Sequence, residues 1–147
     1  DEKVFEQMRP LFLLLGTGIQ YMGEAGSGQH TKACNQIAVA GAVAAMSEAL
    51  VYARAVGLDE QKMLTAIAKG AAGGWQFDNT APRVLADDFA PGFYIKHFIK
   101  DMHIVQQEME QQGVHLDMLE TVCKMYETLA GMGEENNGTQ ALVHYYK

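Results

Sequence analysis

From Ser27 to Val56 the chain runs without a proline and, past Gly28 at its start, with Gly41 as its one glycine. The stretch is built from Ala, Val, Met, Leu and a few polar residues, all compatible with helix. A helix of roughly 30 residues at ~1.5 Å per residue is about 45 Å long, longer than a small domain is wide. Its middle, IAVAGAVAAM, is apolar nearly all round. Such a helix needs neighbours on several sides, and a second copy of the chain is one way to supply them. The feature predicts an all-α fold arranged about one long central helix.

The flanking sequence agrees. Alternating β-branched runs are nearly absent, and only three prolines occur, Pro10, Pro82 and Pro91. In EKVFEQMRPLFLLLG the apolar residues recur at three- and four-residue steps, predicting a first helix that Pro10 kinks or splits and Gly16 and Gly18 stop. A short extended piece, IQYMG, is expected next. After the long helix, Gly57 is a stop and Asp59 an N-cap for a helix over about 60–69. A short helix over about 76–85 follows the break GAAGGW, and Trp75 reads more naturally as core than as a cleft wall. Pro91-Gly92 marks a turn. Helices are then expected over YIKHFIKDMHIVQQEMEQQG, over LDMLETVCKMYETLAGMG and, briefly, at NNGTQALVHYYK.

Hydrophobic residues make up 48% and charged residues 20% of the 147 positions, as in a globular domain, and the whole of 1–147 reads as one domain. The net charge of −7, with no basic stripe, gives no electrostatic support to nucleic-acid or polybasic membrane binding. Two distant cysteines, Cys34 and Cys123, read as free thiols. No signal peptide is visible, and the long apolar run carries Glu48 and Arg54. The expectation is a soluble protein of a reducing compartment, most simply the cytoplasm.

Ahead of the long helix lies GEAGSGQHTKACNQ, Gly23 to Gln36. It is not a Walker loop, because Gln29 follows Gly28 where a lysine is required. Nor is it a dinucleotide fingerprint, because Thr31 stands where the third glycine belongs and no strand precedes it. What remains is close approach to a ligand at a helix start, where glycines admit the backbone and unpaired N–H groups welcome an anion. Lys32, Asn35 and Gln36 then share one helical face, a cation and two amides suited to a carboxylate and a hydroxyl. The plainer alternative is a flexible joint with Lys32 in solvent. No metal set is legible: His30 and Cys34 form one i, i+4 edge without a second pair. His97 and His103 do not share a face.

These residues resemble the β-hydroxyacid dehydrogenases, among them 3-hydroxyisobutyrate dehydrogenase and tartronate semialdehyde (2-hydroxy-3-oxopropionate) reductase. The family signature G-x-x-G-x-G-x-x-x-K-x-x-N-[NQ] is matched in order by Gly23, Gly26, Gly28, Lys32, Asn35 and Gln36. Its later K-D-L/M element is matched by Lys100-Asp101-Met102, and DDFAPGF is similar to the family's GDF.PGF. Several members carry a second asparagine where Gln36 stands, and the tartronate semialdehyde reductase branch resembles the Asn-Gln form. The resemblance covers essentially the whole chain. It implies a helical domain like the C-terminal domain of 6-phosphogluconate dehydrogenase, with a preceding Rossmann domain that this chain lacks; the opening at Asp1 rather than Met is in keeping.

The implied activity is hydride transfer between NAD or NADP, held mainly by the missing domain, and a small 3-hydroxyacid or its aldehyde. Lys32 is implied as the general acid/base and Asn35 and Gln36 as substrate contacts. Gly26 and Gly28 keep bulk away from the substrate. Lys100, Asp101 and Phe98 are implied on the cofactor side, Lys100 also as a substrate-carboxylate contact. For Asp101 a structural role, holding a neighbouring lysine, stays open. For Phe98 plain core packing stays open. The expected partners are a small carboxylate substrate, the chain's own Rossmann domain and further copies of itself, with no nucleic acid and no membrane. The rival reading is a non-enzymatic helical interaction module that keeps the fold, for which Lys32 would be dispensable.

Overall fold

A computed structural model describes all 147 residues as helices and connecting loops, without a β-strand. The elements are α1 (Glu2–Phe12), α2 (Ser27–Ala55), α3 (Glu60–Ile67), a π-helical turn (Gln76–Thr80) running into α4 (Ala81–Leu85), α5 (Ile95–Gln111), α6 (Asp117–Gly131) and a closing 3-10 helix (Thr139–Tyr146). The all-α expectation holds. The chain divides into two compact units, Asp1–Asn35 and Gln36–Lys147, with the boundary inside α2.

In the first unit, α1 is capped by the Asp1 carboxylate, which accepts from the N–H groups of Lys3 (2.8 Å) and Val4 (3.2 Å). The helix runs through Pro10 and ends at Phe12, before the glycines expected to stop it. Close to the C-terminal end, a proline removes one hydrogen bond rather than breaking a long ladder. The Phe5 ring lies 5.5 Å from Phe12 and 5.4 Å from Tyr21, with the Arg9 guanidinium 5.3 Å over it. The piece IQYMG forms no strand; it is irregular chain leading to Gly23.

In the second unit, α2 buries one stripe: Gln36, Ala40, Val43, Met46, Ser47, Leu50 and Ala53. By length and composition α2 could cross a bilayer, but here the three- and four-residue steps of the stripe mark a core helix. Ile37, Val39, Gly41 and Ala44 are partly covered and Ala38, Ala42 and Ala45 are exposed, so the expectation of neighbours all round is not met by one copy. Helices α5 and α6 pack on each other through Phe98, Met102 and Val105 on one side and Leu119, Val122 and Tyr126 on the other, all buried.

The closing segment is laced to the loop between α4 and α5. Gly138 N donates to Phe89 O (2.9 Å), Thr139 N to Phe93 O (3.1 Å), and the buried Gln140 amide to the carbonyls of Asp88 and Ala90 (3.0 Å each). The start of α5 is satisfied from the same region: Ile95 N donates to Asn137 O and Lys96 N to Glu135 O. Arg83 pins the loop from the other side through Asp88 (2.7 Å), and this ion pair holds the Asp88 carboxyl below its usual range.

Two buried acids set an alkaline limit on stability. Burial pushes the Tyr126 phenol, which donates to Thr139 O at 2.7 Å, well above its ordinary value. Burial, and then the charge of Glu127, pushes the Cys123 thiol up to about 11. Both stay protonated in the fold at a pH where the unfolded chain, with its ordinary values of ~8.5 and ~10, gives its protons up. The native state then binds more protons than the unfolded one, so stability falls as pH rises. Thermal melts should show Tm declining from about pH 8.5 upward; a flat Tm to pH 10.5 would contradict the burial of these groups.

Candidate active site

At the start of α2 the backbone turns through Gly23 and Gly26, with φ of 118° and 98°. Gly26 is needed for that conformation, which side-chain-bearing residues rarely adopt. Its carbonyl accepts from His30 N (3.0 Å) to open the helix. Gly28 differs: its φ is ordinary and a Cβ there would meet nothing within 4 Å. Nothing in the chain's own packing asks for glycine at 28. The first turn holds no acidic residue, so no carboxylate of that turn offsets the positive end of the helix dipole. Lys32 and Asn35 follow, both exposed and three residues apart on one face of α2. These residues lie in the first unit.

In the second unit a polar group is buried between α2 and α5. The Gln36 Nε2 amide donates to Asp101 Oδ2 at 2.9 Å, and Asp101 Oδ1 lies 2.8 Å from the Lys100 Nζ ammonium. Gln36 and Asp101 are buried, while the Lys100 side chain is 62% exposed. A carboxylate taken out of water needs such partners; an amide and an ammonium fill both oxygens. The result is an exposed cation tethered to a buried anchor, suited to an anionic group of a substrate or dinucleotide.

Two expectations, for Phe98 and Trp75, need correction, and Gln36 gains a structural partner. Phe98 is fully buried, edge-on to Tyr126 (centroids 5.3 Å) and to Phe93 (6.0 Å), so its ring offers no face to a nicotinamide. The core-packing alternative is what the structure contains. Gln36, expected against substrate, is buried and turns its amide nitrogen to Asp101. Trp75, expected in the core, is 68% exposed and lines an apolar pocket of about 290 Å³ with Ala38, Ala42 and Phe77.

The Gln36–Asp101 contact spans 65 residues of sequence and was not foreseen. Its trace in the sequence is that each is a lone polar residue on an otherwise apolar helical face: Gln36 in register with Ala40 and Val43, Asp101 with Phe98 and Val105.

Comparison with known proteins gives the family. A family model described as the NAD-binding domain of NADP-dependent 3-hydroxyisobutyrate dehydrogenase matches residues 26–146. An uncharacterised oxidoreductase of Bacillus subtilis (strain 168) is 49% identical over 142 residues, covering 97% of this chain and 49% of the relative. The 2-hydroxy-3-oxopropionate reductase of Escherichia coli (strain K12) is 35% identical over 143 residues, with 97% and 49% covered. Among solved structures, Mycobacterium tuberculosis 3-hydroxyisobutyrate dehydrogenase with L-serine superimposes with a TM-score of 0.88 at 24% identity, covering 98% of this chain and 52% of that one, which shows the shared fold. The chain thus spans about half the length of the curated relatives it matches. By the extent of these matches, the chain belongs to the 3-hydroxyisobutyrate dehydrogenase family.

Proposed function

We propose that this chain is the all-helical C-terminal domain of an NAD(P)-dependent oxidoreductase acting on a small 3-hydroxyacid or semialdehyde acid. The observation that carries the reading is the Gln36–Asp101–Lys100 group. Two apolar helices have no packing need for a buried carboxylate, whereas a site for an anionic ligand needs a cation held in place. The donors fit the anionic parts of a nicotinamide dinucleotide or a substrate carboxylate. Nicotinamide, when bound, supplies or takes the hydride.

Lys32 is the general acid/base. As carbonyl becomes alkoxide its ammonium offsets the growing charge and gives the oxygen a proton; in the oxidation direction the neutral amine takes that proton back. Asn35 orients the substrate hydroxyl or carboxylate. Gly28 leaves room for the substrate against the helix start. Gln36 and Asp101 are positioning residues, acting through Lys100. The dinucleotide is bound mainly by a Rossmann domain outside this chain, so the chain alone is inactive. Copies associate through the uncovered face of α2, and the compartment is the cytoplasm. The Asn35-Gln36 pair, similar to that of the tartronate semialdehyde reductase branch, favours tartronate semialdehyde over methylmalonate semialdehyde.

The test is an NADH and NADPH oxidation assay with tartronate semialdehyde, methylmalonate semialdehyde and glyoxylate. It is run on the protein joining this chain to a dinucleotide-binding domain, and on the chain alone. Turnover by the first and none by the second is expected. A two-domain protein inert toward all three aldehydes would overturn the assignment, and turnover by the isolated chain would overturn the division of labour.

A further inference from the structure

The packing of α5 against α6 brings three metal-ligating side chains to one place that the proposed reaction does not use. His103 comes from α5, and Cys123 and Glu127 stand one turn apart on α6, on a common face. One ligand atom from each, an imidazole nitrogen, the thiol sulfur and a carboxylate oxygen, lie within 4.8 Å of one another. His103 Nε2 is 2.7 Å from Glu127 Oε1. Cys123 is buried beside them. Cys123 and Glu127 also line a groove of about 620 Å³ whose walls include Met109, His115 and Leu116.

We propose that His103, Cys123 and Glu127 form a binding site for a borderline-soft divalent cation, with zinc as the type. Bonds of ~2.0–2.3 Å from a tetrahedral zinc set its donors about 3.5 Å apart. The three ligand atoms, all within 4.8 Å of one another, are already close to that spacing. The mixed N, S, O set suits zinc or cobalt; magnesium and calcium prefer oxygen alone. A histidine–glutamate pair by itself is an ordinary surface ion pair. The buried sulfur within reach of both partners is what such a pair does not require.

Three protein ligands leave a fourth position, and the groove gives a water or small ligand access to it. On binding, the Cys123 thiol releases its proton to solvent and His103 presents the Nε2 lone pair with its proton on Nδ1. The cation keeps its charge, and no electron is transferred.

The test is titration of the metal-stripped full chain with cobalt and zinc. It is run on a Cys34→Ser background, because the exposed Cys34 thiol and His30 would otherwise compete. One equivalent of cobalt should give a thiolate-to-metal charge-transfer band that zinc abolishes. Cys123→Ser should remove the band. Because that site is buried, His103→Gln and Glu127→Gln, both at half-exposed positions, serve as independent variants. Each should keep the helical circular dichroism and weaken zinc at least about tenfold. No zinc bound up to about 100 µM, corresponding to a Kd weaker than ~10⁻⁴ M, would overturn the proposal. So would affinity unchanged in both exposed variants.

Discussion

Replacing Lys32 by alanine in the two-domain protein is expected to cut turnover by ~10²–10⁴-fold, the range a positioned general acid or base supplies. Lys32 is exposed on α2, and alanine is the best helix former, so the helix should survive. The loss should fall on kcat and on kcat/KM alike, because in the proposed reaction the alkoxide charge that Lys32 would meet exists only near the transition state. Lys32→Arg is the sharper variant. It keeps the positive charge but cannot give up a proton near neutral pH. If it restores most of the rate, Lys32 works as an electrostatic stabiliser and not as an acid. Steady-state kinetics beside circular dichroism decide the matter. Turnover within about tenfold of the parent would remove Lys32 from the chemistry and leave the interaction-module reading in its place.

The second large effect is structural. Phe98→Ala should cost ~3–5 kcal/mol, the usual toll of emptying a large buried aromatic site. Phe98 is fully buried and meets both Phe93 and Tyr126 edge to face, so the lost contacts are shared by α5, α6 and the loop before α5. At about 2–4 °C per kcal/mol for a chain of this size, Tm should drop by roughly 10 °C. Phe98→Leu should recover much of the loss, since it refills most of the volume. A Phe98→Ala protein of parental stability but weakened dinucleotide binding would show instead that the ring meets the cofactor.

The contrast between Phe98 and Lys100 shows where sequence reading carries and where it stops. The long proline-free run, the Asp59 cap and the periodic apolar faces of α5 and α6 are local signals, and the helices stand close to where those signals put them. The signature residues at the start of α2 were legible because they are contiguous. Which of the neighbours on α5 faces solvent was not. At 100° per residue, positions 98 and 101 share a face and position 100 points away from it, and only the packed partner decides which direction is interior. The Gln36–Asp101 bond, 65 residues apart, and the His103–Cys123–Glu127 cluster are products of that packing. Gln36 shows a related limit: a polar side chain in a signature is as compatible with holding another residue as with touching substrate. Trp75 was misread because a large aromatic ring is taken as core by default, and nothing local shows that its partner face is missing.

The lacing of residues 137–140 onto the loop between α4 and α5 dictates an order of assembly. Those hydrogen bonds join positions about fifty residues apart, such as Gln140 with Ala90, and closing so long a loop costs entropy before any bond is made. The α5–α6 hairpin, whose contacts are nearer in sequence, can form before residues 135–140 have docked. The amide groups of Ile95 and Lys96 cannot find their carbonyls until Glu135 and Asn137 are in place. Final locking of the first turn of α5, just ahead of Lys100 and Asp101, therefore waits for residues 135–140 to dock, and a variant unable to dock them would hold its helices without that lock.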